Sequence, residues 1–307
     1  MWIVRGLESS PPSSSACVVA LGAFDGVHLA HRAILDTAVR RGRELGLPSV
    51  ACTFDPHPME VLQPGRAPVP ITTMDERLAL IAAIGVDGTI ILPFTTETAA
   101  IEPEAFVKDI LLARFRAREV VVGFNHTFGR GARGNAELLE ALADRLGFRA
   151  HVVPPLAVDG VPVSSSAIRS ALQRGDVEYA ARLLGRPYSI VGAVVRGAGR
   201  GRTLGFPTAN VEPDRPLLVP TGVYVCRAEV GRAEYEAVVN VGVRPTFGEH
   251  TVAVEAHVLD FTGDLYGQRV ALHFLRRLRG EMKFPSVDAL REQIARDIAS
   301  ARTGSAR

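Results

Sequence analysis

Cysteine, long apolar runs and a strong charge of either sign are scarce or missing in this 307-residue sequence. Its three cysteines, Cys17, Cys52 and Cys226, lie in apolar strand-like runs, which favours reduced core thiols over a disulfide framework or a metal site. No apolar run approaches the roughly 20 residues of a membrane span, and the N-terminus lacks a signal-peptide pattern. A net charge of +2 argues against a generic nucleic-acid-binding protein. We therefore expect a soluble cytoplasmic protein with no nucleic-acid or membrane partner.

The pattern of strands and helices changes near residues 184–187. Before this point, apolar strand-like runs alternate with helical patterns, which is typical of a parallel sheet with helices on both faces. After it, β-like stretches follow one another with Gly, Pro and Asp turns, and a helix closes the chain from Pro285-Ser286. We predict a doubly wound α/β domain over residues 1–184 and a small antiparallel β-barrel with a terminal helix over residues 185–307.

The sequence also predicts the individual elements. In the first domain the predicted strands cover residues 16–24, 49–54, 88–93, 119–124 and 151–153, and the predicted helices cover 31–46, 75–84, 103–116 and 135–147. In the second domain the β-like stretches cover residues 189–195, 222–230, 235–243, 252–261 and 269–275.

The turn Gly22-Ala-Phe-Asp-Gly-Val-His-Leu-Ala-His31 follows the first predicted strand and leads into the first predicted helix. Open α/β sheets bind ligands at the carboxyl ends of their strands. Glycines let the backbone approach a ligand closely, and a helix N-terminus offers unpaired N–H groups to phosphate oxygens. His28 and His31 can both face that point. The segment alone leaves a nucleotide site and a plain strand-turn-helix connection as alternatives.

Three further polar clusters lie at or near the ends of later strands: Thr53 to Pro58, Gly123 to Gly134 and Ser164 to Arg169. Each by itself is consistent with a rigid turn, a basic surface loop or a helix cap. Loops at one edge of a parallel sheet converge, so their joint placement favours a shared site. Imidazole, hydroxyl and guanidinium groups bind phosphate oxygens, and an incoming phosphate can attack directly without a covalent enzyme nucleophile. These groups therefore indicate nucleotidyl transfer.

A glycine-rich basic segment, Arg196 to Asn210, follows a predicted strand of the second domain. Its glycines allow backbone N–H groups to surround phosphates, while Thr208 and Asn210 offer oxygens that suit Mg²⁺. The segment lacks the ending of a Walker sequence, and by pattern alone a mobile basic linker is an alternative. Further along, strand alternation puts Glu255 on the same face as His257, as a candidate base. A solvated outer-face position is the alternative for a lone glutamate.

The four segments of the first domain together resemble the adenylyltransferase module of bacterial bifunctional riboflavin kinase/FMN adenylyltransferases (FAD synthetases). That module is similar to the nucleotidyltransferases with a His-x-Gly-His signature, so the resemblance implies a nucleotidyltransferase-like Rossmann fold that transfers AMP from ATP to FMN. It implies catalytic roles for His28 and His31 and a possible metal-binding role for Asn125. Ala30 stands where the family has Gly, and Ser166 where it has Thr. The expected ATP-binding residues of this domain are Gly22, Phe24, Asp25, His28, His31, Asn125, Ser164, Ser165 and Arg169.

A second set of motifs resembles, in order, the riboflavin kinase module. The segments are Gly205 to Asn210, Asn240 to Thr246, Glu255 to Phe261, Asp264 to Gly267 and Leu278 to Phe284. The resemblance implies a six-stranded barrel, Thr208 and Asn210 at Mg-ATP, and Glu255 as the base that activates the ribityl 5′-hydroxyl of riboflavin. The expected phosphate-binding residues of this domain are Gly197, Gly199, Gly205, Thr208 and Asn210. Residues 284–298 are candidates for one wall of the kinase site.

We therefore expect an enzyme that phosphorylates riboflavin to FMN and adenylylates FMN to FAD, with Mg²⁺ and ATP in both steps. Two alternatives stay open. A kinase with an inactive adenylyltransferase domain is suggested by Ala30, and a flavin- or nucleotide-sensing RNA-binding protein is suggested by the arginine-rich glycine loops at residues 129–134 and 196–202. The sequence alone leaves the oligomeric state open.

Overall fold

The structure, a computed structural model, describes residues 1–6, 16–197, 200–246 and 249–304. Its contacts divide the chain into two units, Met1–Ser165 and Ser166–Arg307. The residues between position 166 and the sequence-based boundary near 184 therefore group with the second unit. They form two helices, and the second of these packs against strands of that unit.

Six parallel strands form the sheet of the first unit, as the alternating pattern predicts. The strands are β1 (Trp2–Arg5), β2 (Cys17–Leu21), β3 (Ser49–Asp55), β4 (Gly88–Pro93), β5 (Ala117–Gly123) and β6 (Arg149–Val153). Their order across the sheet is β1-β4-β3-β2-β5-β6. The central strands consist mostly of buried apolar residues, because helices cover both faces of a parallel sheet. A short hairpin, β7 (Ala157–Val158) and β8 (Val161–Pro162), follows the sheet.

Helices connect these strands and pack on both faces, which confirms the doubly wound fold. They are α1 (Leu29–Leu45), α2 (Pro58–Leu62), α3 (Met74–Ile84), α4 (Thr96–Ala99), α5 (Pro103–Ala105) and α6 (Ala136–Leu146), with a 3-10 turn at Arg130–Ala132. One apolar core cluster includes Leu111 and Leu139, and a second includes Leu35 and Ile81. Each face of the sheet therefore has its own apolar layer.

The sequence predicts one helix over residues 103–116, and the structure differs there. Helix α5 is followed by a π-helical segment, Phe106–Arg114, in which the N–H of Phe115 donates to the carbonyl oxygen of Ile110. Phe106, Ile110, Leu111 and Phe115 are all buried. Their spacing of four to five residues suits the wider turn of a π-helix, since this turn keeps all four on the core side.

The strand order brings the carboxyl ends of β2, β3 and β5 side by side. Residues 22–31, 53–58 and 123–134 begin at or next to these three ends. The prediction that the polar clusters share one edge of the sheet is therefore confirmed for these three.

Six antiparallel strands of the second unit close into a barrel, as the family resemblance implies. They are β9 (Tyr188–Val195), β10 (Ala209–Pro213), β11 (Gly222–Val230), β12 (Ala233–Thr246), β13 (Glu249–Val258) and β14 (Arg269–Arg279). The helices of this region are α7 (Ser165–Gln173), α8 (Val177–Leu184), α9 (Arg200–Thr203) and α10 (Val287–Gly304). The sequence pattern had not separated β10 from the glycine-rich segment before it. The closing helix predicted after Pro285-Ser286 is α10.

The cysteines occupy the core positions that the sequence predicts. Cys17, Cys52 and Cys226 are free thiols, and all three are buried. Burial raises the pKa of Cys17 to about 12, so this thiol is protonated at neutral pH. Within the described part of the chain, no helix is long and apolar enough to cross a membrane.

Candidate active sites

The turn between β2 and α1 has a backbone that most side chains avoid. Phe24, Gly26 and Val27 have φ angles of 51°, 83° and 38°. Positive φ is sterically unfavourable for residues with a Cβ, and most of all for a β-branched residue such as Val27. The turn therefore stores strain that the surrounding structure must hold, as is common at functional sites.

Asp25 supplies the contacts that hold this turn. Its buried carboxylate accepts hydrogen bonds from the backbone N–H groups of Ile71 and Thr72, at 3.0 and 3.1 Å. The guanidinium of Arg77 lies 3.5 Å from the same carboxylate, and the hydroxyl of Thr72 accepts from the N–H of Gly26 at 3.1 Å. These contacts join the turn to the start of α3. Sequence reasoning did not find Thr72 or Arg77, because nothing in the motif marks partners about fifty positions away.

His28 and His31 lie together at the start of α1. His28 is buried, and its Nδ1 caps the helix by accepting from the N–H of His31 at 3.2 Å. The two rings are stacked, with their centroids 3.6 Å apart. Burial lowers the pKa of His31 well below its usual value, and the charges of His28 and Arg77 lower it further. The Nδ1 atom of His31 is buried and has no hydrogen-bond partner within the described residues. An orphaned polar atom of this kind suits a ligand that carries hydrogen-bonding oxygens.

The other residues expected in the first site differ from one another in burial and in the element that carries them. The hydroxyl of Ser165, at the start of α7, donates to the carbonyl oxygen of Asp25 at 3.0 Å, and this bond joins the serine motif to the histidine turn. Ser164 is half-buried beside it. Asn125 follows β5 at the same sheet edge and is exposed. Arg169 is buried on α7, within the second unit.

An apolar cavity of about 210 Å³ lies in the first unit. Its aromatic lining comes from four phenylalanines that the sequence analysis did not assign to a site: Phe54, Phe94, Phe106 and Phe128. Two of the polar clusters contribute to it, since Phe54 and Pro58 belong to the second cluster and Phe128 to the third. The structure therefore adds an apolar compartment to the clusters at the sheet edge.

The arginines of the loop at residues 129–134 make surface ion pairs. The guanidinium groups of Arg130 and Arg133 both contact the carboxylate of Glu102, at 3.4 Å for Arg130. These pairs neutralise part of the positive charge on which the RNA-binding alternative depends.

In the second unit, the glycine-rich segment packs closely on the Thr208 and Asn210 side chains. A Cβ on Gly197 would lie 2.1 Å from the amide nitrogen of Asn210, and a Cβ on Gly201 would lie 2.8 Å from the hydroxyl oxygen of Thr208. Gly205 has a φ angle of 86°, which favours glycine. Larger residues cannot occupy the first two positions without a shift of the backbone. Gly199 lies outside the described residues.

Glu255 lies beside Asn210 in the barrel, because the two residues are paired across strands β13 and β10. Asn210 is buried and Glu255 is half-buried. Glu255, Thr208 and His257 line one cavity of about 360 Å³. Thr208 also lines a smaller neighbouring cavity of about 110 Å³. The predicted Thr208, Asn210 and Glu255 are therefore brought together.

Helix α10 forms one wall of the larger cavity, as predicted for residues 284–298. Phe284, Leu290, Ile294 and Asp297 line it. The buried carboxylate of Asp297 accepts from the guanidinium of Arg279, with contacts of 3.1 and 2.7 Å, and so joins α10 to the end of β14. Both residues lie in segments that the sequence analysis named, 278–284 and 284–298, but it did not predict the contact between them.

Oxygen donors at Thr208 and Asn210 fit a hard cation that is held mainly by a nucleotide. Among the described residues there is no group of three or more His, Cys, Asp or Glu side chains that could hold a metal ion. Mg²⁺ bound with phosphates keeps several waters and takes few protein ligands. The hydroxyl of Thr208 and the amide oxygen of Asn210, next to glycines with no side chain, match this kind of site.

Comparison with known proteins assigns both halves of the chain. A family model described as FAD synthetase matches residues 10–167, and a model described as riboflavin kinase matches residues 184–304. Both domains of the resemblance are therefore present, with a gap between them that contains most of α7 and α8.

Relatives match along almost the whole chain. The bifunctional riboflavin kinase/FMN adenylyltransferase of Pseudomonas fluorescens is 37% identical and covers 98% of this chain and 97% of its own. The protein of the same name from Escherichia coli K12 is 36% identical with the same coverage. A crystal structure named as a macrolide-efflux protein from Streptococcus pneumoniae has a TM-score of 0.88 and 34% identity, covering 94% of this chain and 95% of that one. With both domain models in order and relatives of this identity over their full length, the chain belongs to the bifunctional riboflavin kinase/FMN adenylyltransferase family.

Proposed function

We propose that this chain carries out two consecutive transfers to a flavin. The second unit transfers the γ-phosphoryl group of ATP to riboflavin, giving FMN and ADP. The first unit transfers the AMP part of another ATP to FMN, giving FAD and pyrophosphate. The observation that carries the proposal is that each unit holds a cavity lined by residues of its own family motifs, in a chain that matches both family models.

In the first unit, we assign binding of the ATP phosphates to the turn that bears the histidines. His28 and His31 stabilise the negative charge that develops as pyrophosphate leaves. Asp25 acts indirectly, because its contacts with the start of α3 hold the strained turn in place. The orphaned Nδ1 of His31 supports this assignment, since a phosphate oxygen would satisfy it.

The other predicted residues of this site have supporting roles in the proposal. Ser164, Ser165 and Arg169 hold the β- and γ-phosphates, with the guanidinium binding two oxygens at once. Asn125 lies near the reacting phosphates and is a possible metal ligand. Gly22 and Phe24 shape the turn that the nucleotide approaches, and Gly22 packs tightly on the Phe24 ring.

We assign the apolar cavity of the first unit to the flavin ring of FMN. The ring system is large, flat and mostly apolar, and Phe54 and Phe128 provide aromatic surfaces for it. Because the cavity is lined by residues of two of the motif clusters, an FMN bound there has its phosphate near the sheet edge that we assign to ATP. In this arrangement the phosphate of FMN is the acceptor of the adenylyl group.

In the second unit, Glu255 is the proposed base. Its carboxylate takes the proton of the ribityl 5′-hydroxyl as the oxygen attacks the γ-phosphorus. Thr208 and Asn210 position the phosphates, and Gly197, Gly199 and Gly205 let the backbone approach them. The cross-strand pairing of Glu255 with Asn210 supports this arrangement, since it keeps the base and the phosphate ligands adjacent.

Mg²⁺ is the proposed metal in both reactions. When bound with ATP it screens the phosphate charge and favours in-line attack. Thr208 and Asn210 are its proposed protein ligands in the kinase site.

We also propose the domain boundary and the setting of the enzyme. The adenylyltransferase domain spans residues 1–184 and the kinase domain spans residues 185–307, which is consistent with a riboflavin kinase match that starts at residue 184. The protein is cytoplasmic, and its partners are the small molecules riboflavin, FMN and ATP rather than nucleic acid or a membrane.

Product analysis with riboflavin, ATP and Mg²⁺ tests the proposal. We expect FMN to form first and FAD with pyrophosphate to follow. Accumulation of FMN alone would identify a kinase with an inactive first unit. Absence of both products, together with salt-dependent RNA binding, would identify the RNA-binding alternative.

Three substitutions, one in the first unit and two in the second, separate the sites. His28→Ala should abolish formation of FAD from FMN and leave formation of FMN from riboflavin unchanged. Asn210→Ala should do the reverse when FMN is supplied, and Glu255→Ala should behave like Asn210→Ala. If either kind of substitution removed both activities from a folded protein, the assignment of two separate sites would be wrong.

A further inference from the structure

His257 lies in the cavity that we assign to the kinase, although no family motif gave it a role. It comes two residues after Glu255 on β13, so both side chains leave the strand on the same side. Both line the cavity of about 360 Å³ that also contains Thr208. The barrel therefore places an imidazole next to the proposed base and the proposed phosphate ligand.

The ring of His257 is bonded to the backbone immediately before Thr208. Its Nδ1 lies 2.7 Å from the carbonyl oxygen of Pro207. A carbonyl oxygen only accepts hydrogen bonds, so Nδ1 carries the hydrogen and donates it. The ring also meets the ring of Phe206 edge-on, with the centroids 5.9 Å apart. Two contacts therefore connect β13 to the segment that precedes β10.

The carbonyl group of Pro207 belongs to the same planar peptide unit as the N–H of Thr208. Fixing the direction of one group therefore fixes the direction of the other. Pro207 has no N–H of its own, so this segment has one donor fewer with which to hold its position. On its other side Thr208 packs against Gly201, with no room for a Cβ. The hydrogen bond from His257 is thus one of the contacts that set the position of the Thr208 backbone, from which the hydroxyl extends.

We propose that His257 is a positioning residue of the kinase site: its Nδ1–H holds the Pro207–Thr208 peptide so that Thr208 meets the metal-bound phosphates of ATP. The role rests on the kinase function proposed above. It is distinct from that of Glu255, because the hydrogen of Nδ1 is engaged with a backbone carbonyl and is not exchanged with substrate.

Two replacements of His257 separate positioning from proton transfer. In His257→Asn, the amide nitrogen can take the place of Nδ1 as the donor to Pro207, but the side chain cannot carry a proton. In His257→Leu, the donor is lost while the bulk is largely kept. His273→Leu is the matched control, since His273 lies on β14 of the same barrel and its ring contacts an exposed glutamate, Glu229, at 3.4 Å.

The kinetic measurement compares riboflavin phosphorylation with FMN adenylylation in the same full-length proteins. For His257→Leu we expect the KM for ATP to rise about tenfold, the effect of losing one well-placed hydrogen bond, while the KM for riboflavin changes less than about twofold. Adenylylation of FMN should be unchanged and reports that the chain is folded. His257→Asn should recover most of the loss, and His273→Leu should match the unmodified protein.

Hydrogen exchange followed by mass spectrometry gives a second readout that needs no ligand. In the nucleotide-free protein, proteolytic fragments covering residues 204–210 should exchange faster in His257→Leu than in His257→Asn or His273→Leu. The reason is that the carbonyl group of Pro207 no longer accepts a hydrogen bond from residue 257.

Three results would overturn the positioning role. They are an unchanged KM for ATP in His257→Leu, unchanged exchange of residues 204–210, and a kcat that falls more than about tenfold in both His257→Leu and His257→Asn. The last result would indicate proton transfer by the ring. Failure of the kinase function itself is seen separately, as the absence of FMN formation in the unmodified protein.

Discussion

The imidazole rings of His28 and His31 are stacked with their planes inclined by only 14°, and their centroids are 3.6 Å apart. Two charged imidazoles at this separation repel each other strongly. Burial and the neighbouring charges of His28 and Arg77 lower the pKa of His31 well below its usual value. A bound anion would reverse this effect, because negative charge favours the protonated ring.

We expect the His31 ring of the nucleotide-free protein to become protonated only well below the ordinary imidazole pKa of about 6.5, because burial and the charges of His28 and Arg77 lower its pKa. Binding of ATP should raise the pKa, since phosphate oxygens favour the charged ring. The measurement is a pH titration of ¹⁵N-labelled histidines by NMR, with the His31 signals assigned from His31→Gln. An ordinary titration near pH 6.5 without nucleotide would contradict this account of the site.

A second charged cluster, Arg41, Glu119 and His151, contains none of the residues that we assign to either site. The buried carboxylate of Glu119 accepts two hydrogen bonds from the guanidinium of Arg41, at 2.8 and 2.7 Å. The ring of His151 lies 2.6 Å from the same carboxylate. The Arg41 hydrogen bonds, with a further contribution from His151, lower the pKa of Glu119 to about 2 despite its burial. Helix α1 and strands β5 and β6 are joined through this one carboxylate.

This cluster predicts a loss of stability in acid. The pKa of Glu119 is lower in the folded than in the unfolded chain, so the stabilisation is complete above about pH 4.5 and is lost as the pH falls toward 2. The contribution is on the order of 3 kcal/mol. Urea unfolding between pH 7 and pH 3 should show a smaller pH dependence in Glu119→Gln than in the unmodified protein. Glu44→Gln is the control, because Glu44 also contacts Arg41 but is largely exposed. Equal pH dependence in all three proteins would exclude a role for Glu119.

Ala30 is the position that suggested an inactive adenylyltransferase. It lies in the first turn of α1 and is half-buried, and helix favours alanine over glycine. We expect Ala30→Gly to lower the free energy of unfolding by up to about 1 kcal/mol and to change the rate of FAD formation less than about threefold. Ala33→Gly, one turn later in the same helix, should show a similar loss of stability. A tenfold or larger increase in FAD formation with Ala30→Gly would instead show that the methyl group crowds the nucleotide.

The periodicity of apolar residues in the sequence was sufficient to predict most strands and helices of the fold. The bounds of β4 and β11 agree with the predicted strands, since short apolar runs between turn residues have few other interpretations. Strands β1 and β10 were missed, because both are short and one lies at the chain start while the other lies in a glycine-rich segment. The π-helical turn at residues 106–114 was also missed, since its spacing of apolar residues is close to that of an α-helix.

For the sites, motif order predicted the residues that we propose as phosphate ligands, but it did not predict the contacts that hold them. Arg77 reaches Asp25 from helix α3, and Thr72 reaches it from the segment just before that helix. Asp297 reaches Arg279 from the closing helix. His257 had a usable signal, because strand alternation already placed it beside Glu255. Nothing in the sequence indicated the hydrogen bond from His257 to the carbonyl oxygen of Pro207.

Composition, hydrophobic period and the order of two motif sets are properties of the linear chain, and they were enough for the fold class, the two domains and the family. Asp25 accepts from the N–H groups of Ile71 and Thr72, and His257 donates to the carbonyl oxygen of Pro207. Phenylalanines from separate segments enclose the apolar cavity. These contacts join residues that are far apart in the sequence, and no hydrophobic period indicates them. Such contacts depend on strand order and on the direction in which each side chain leaves its element, so they exist only once both units have folded.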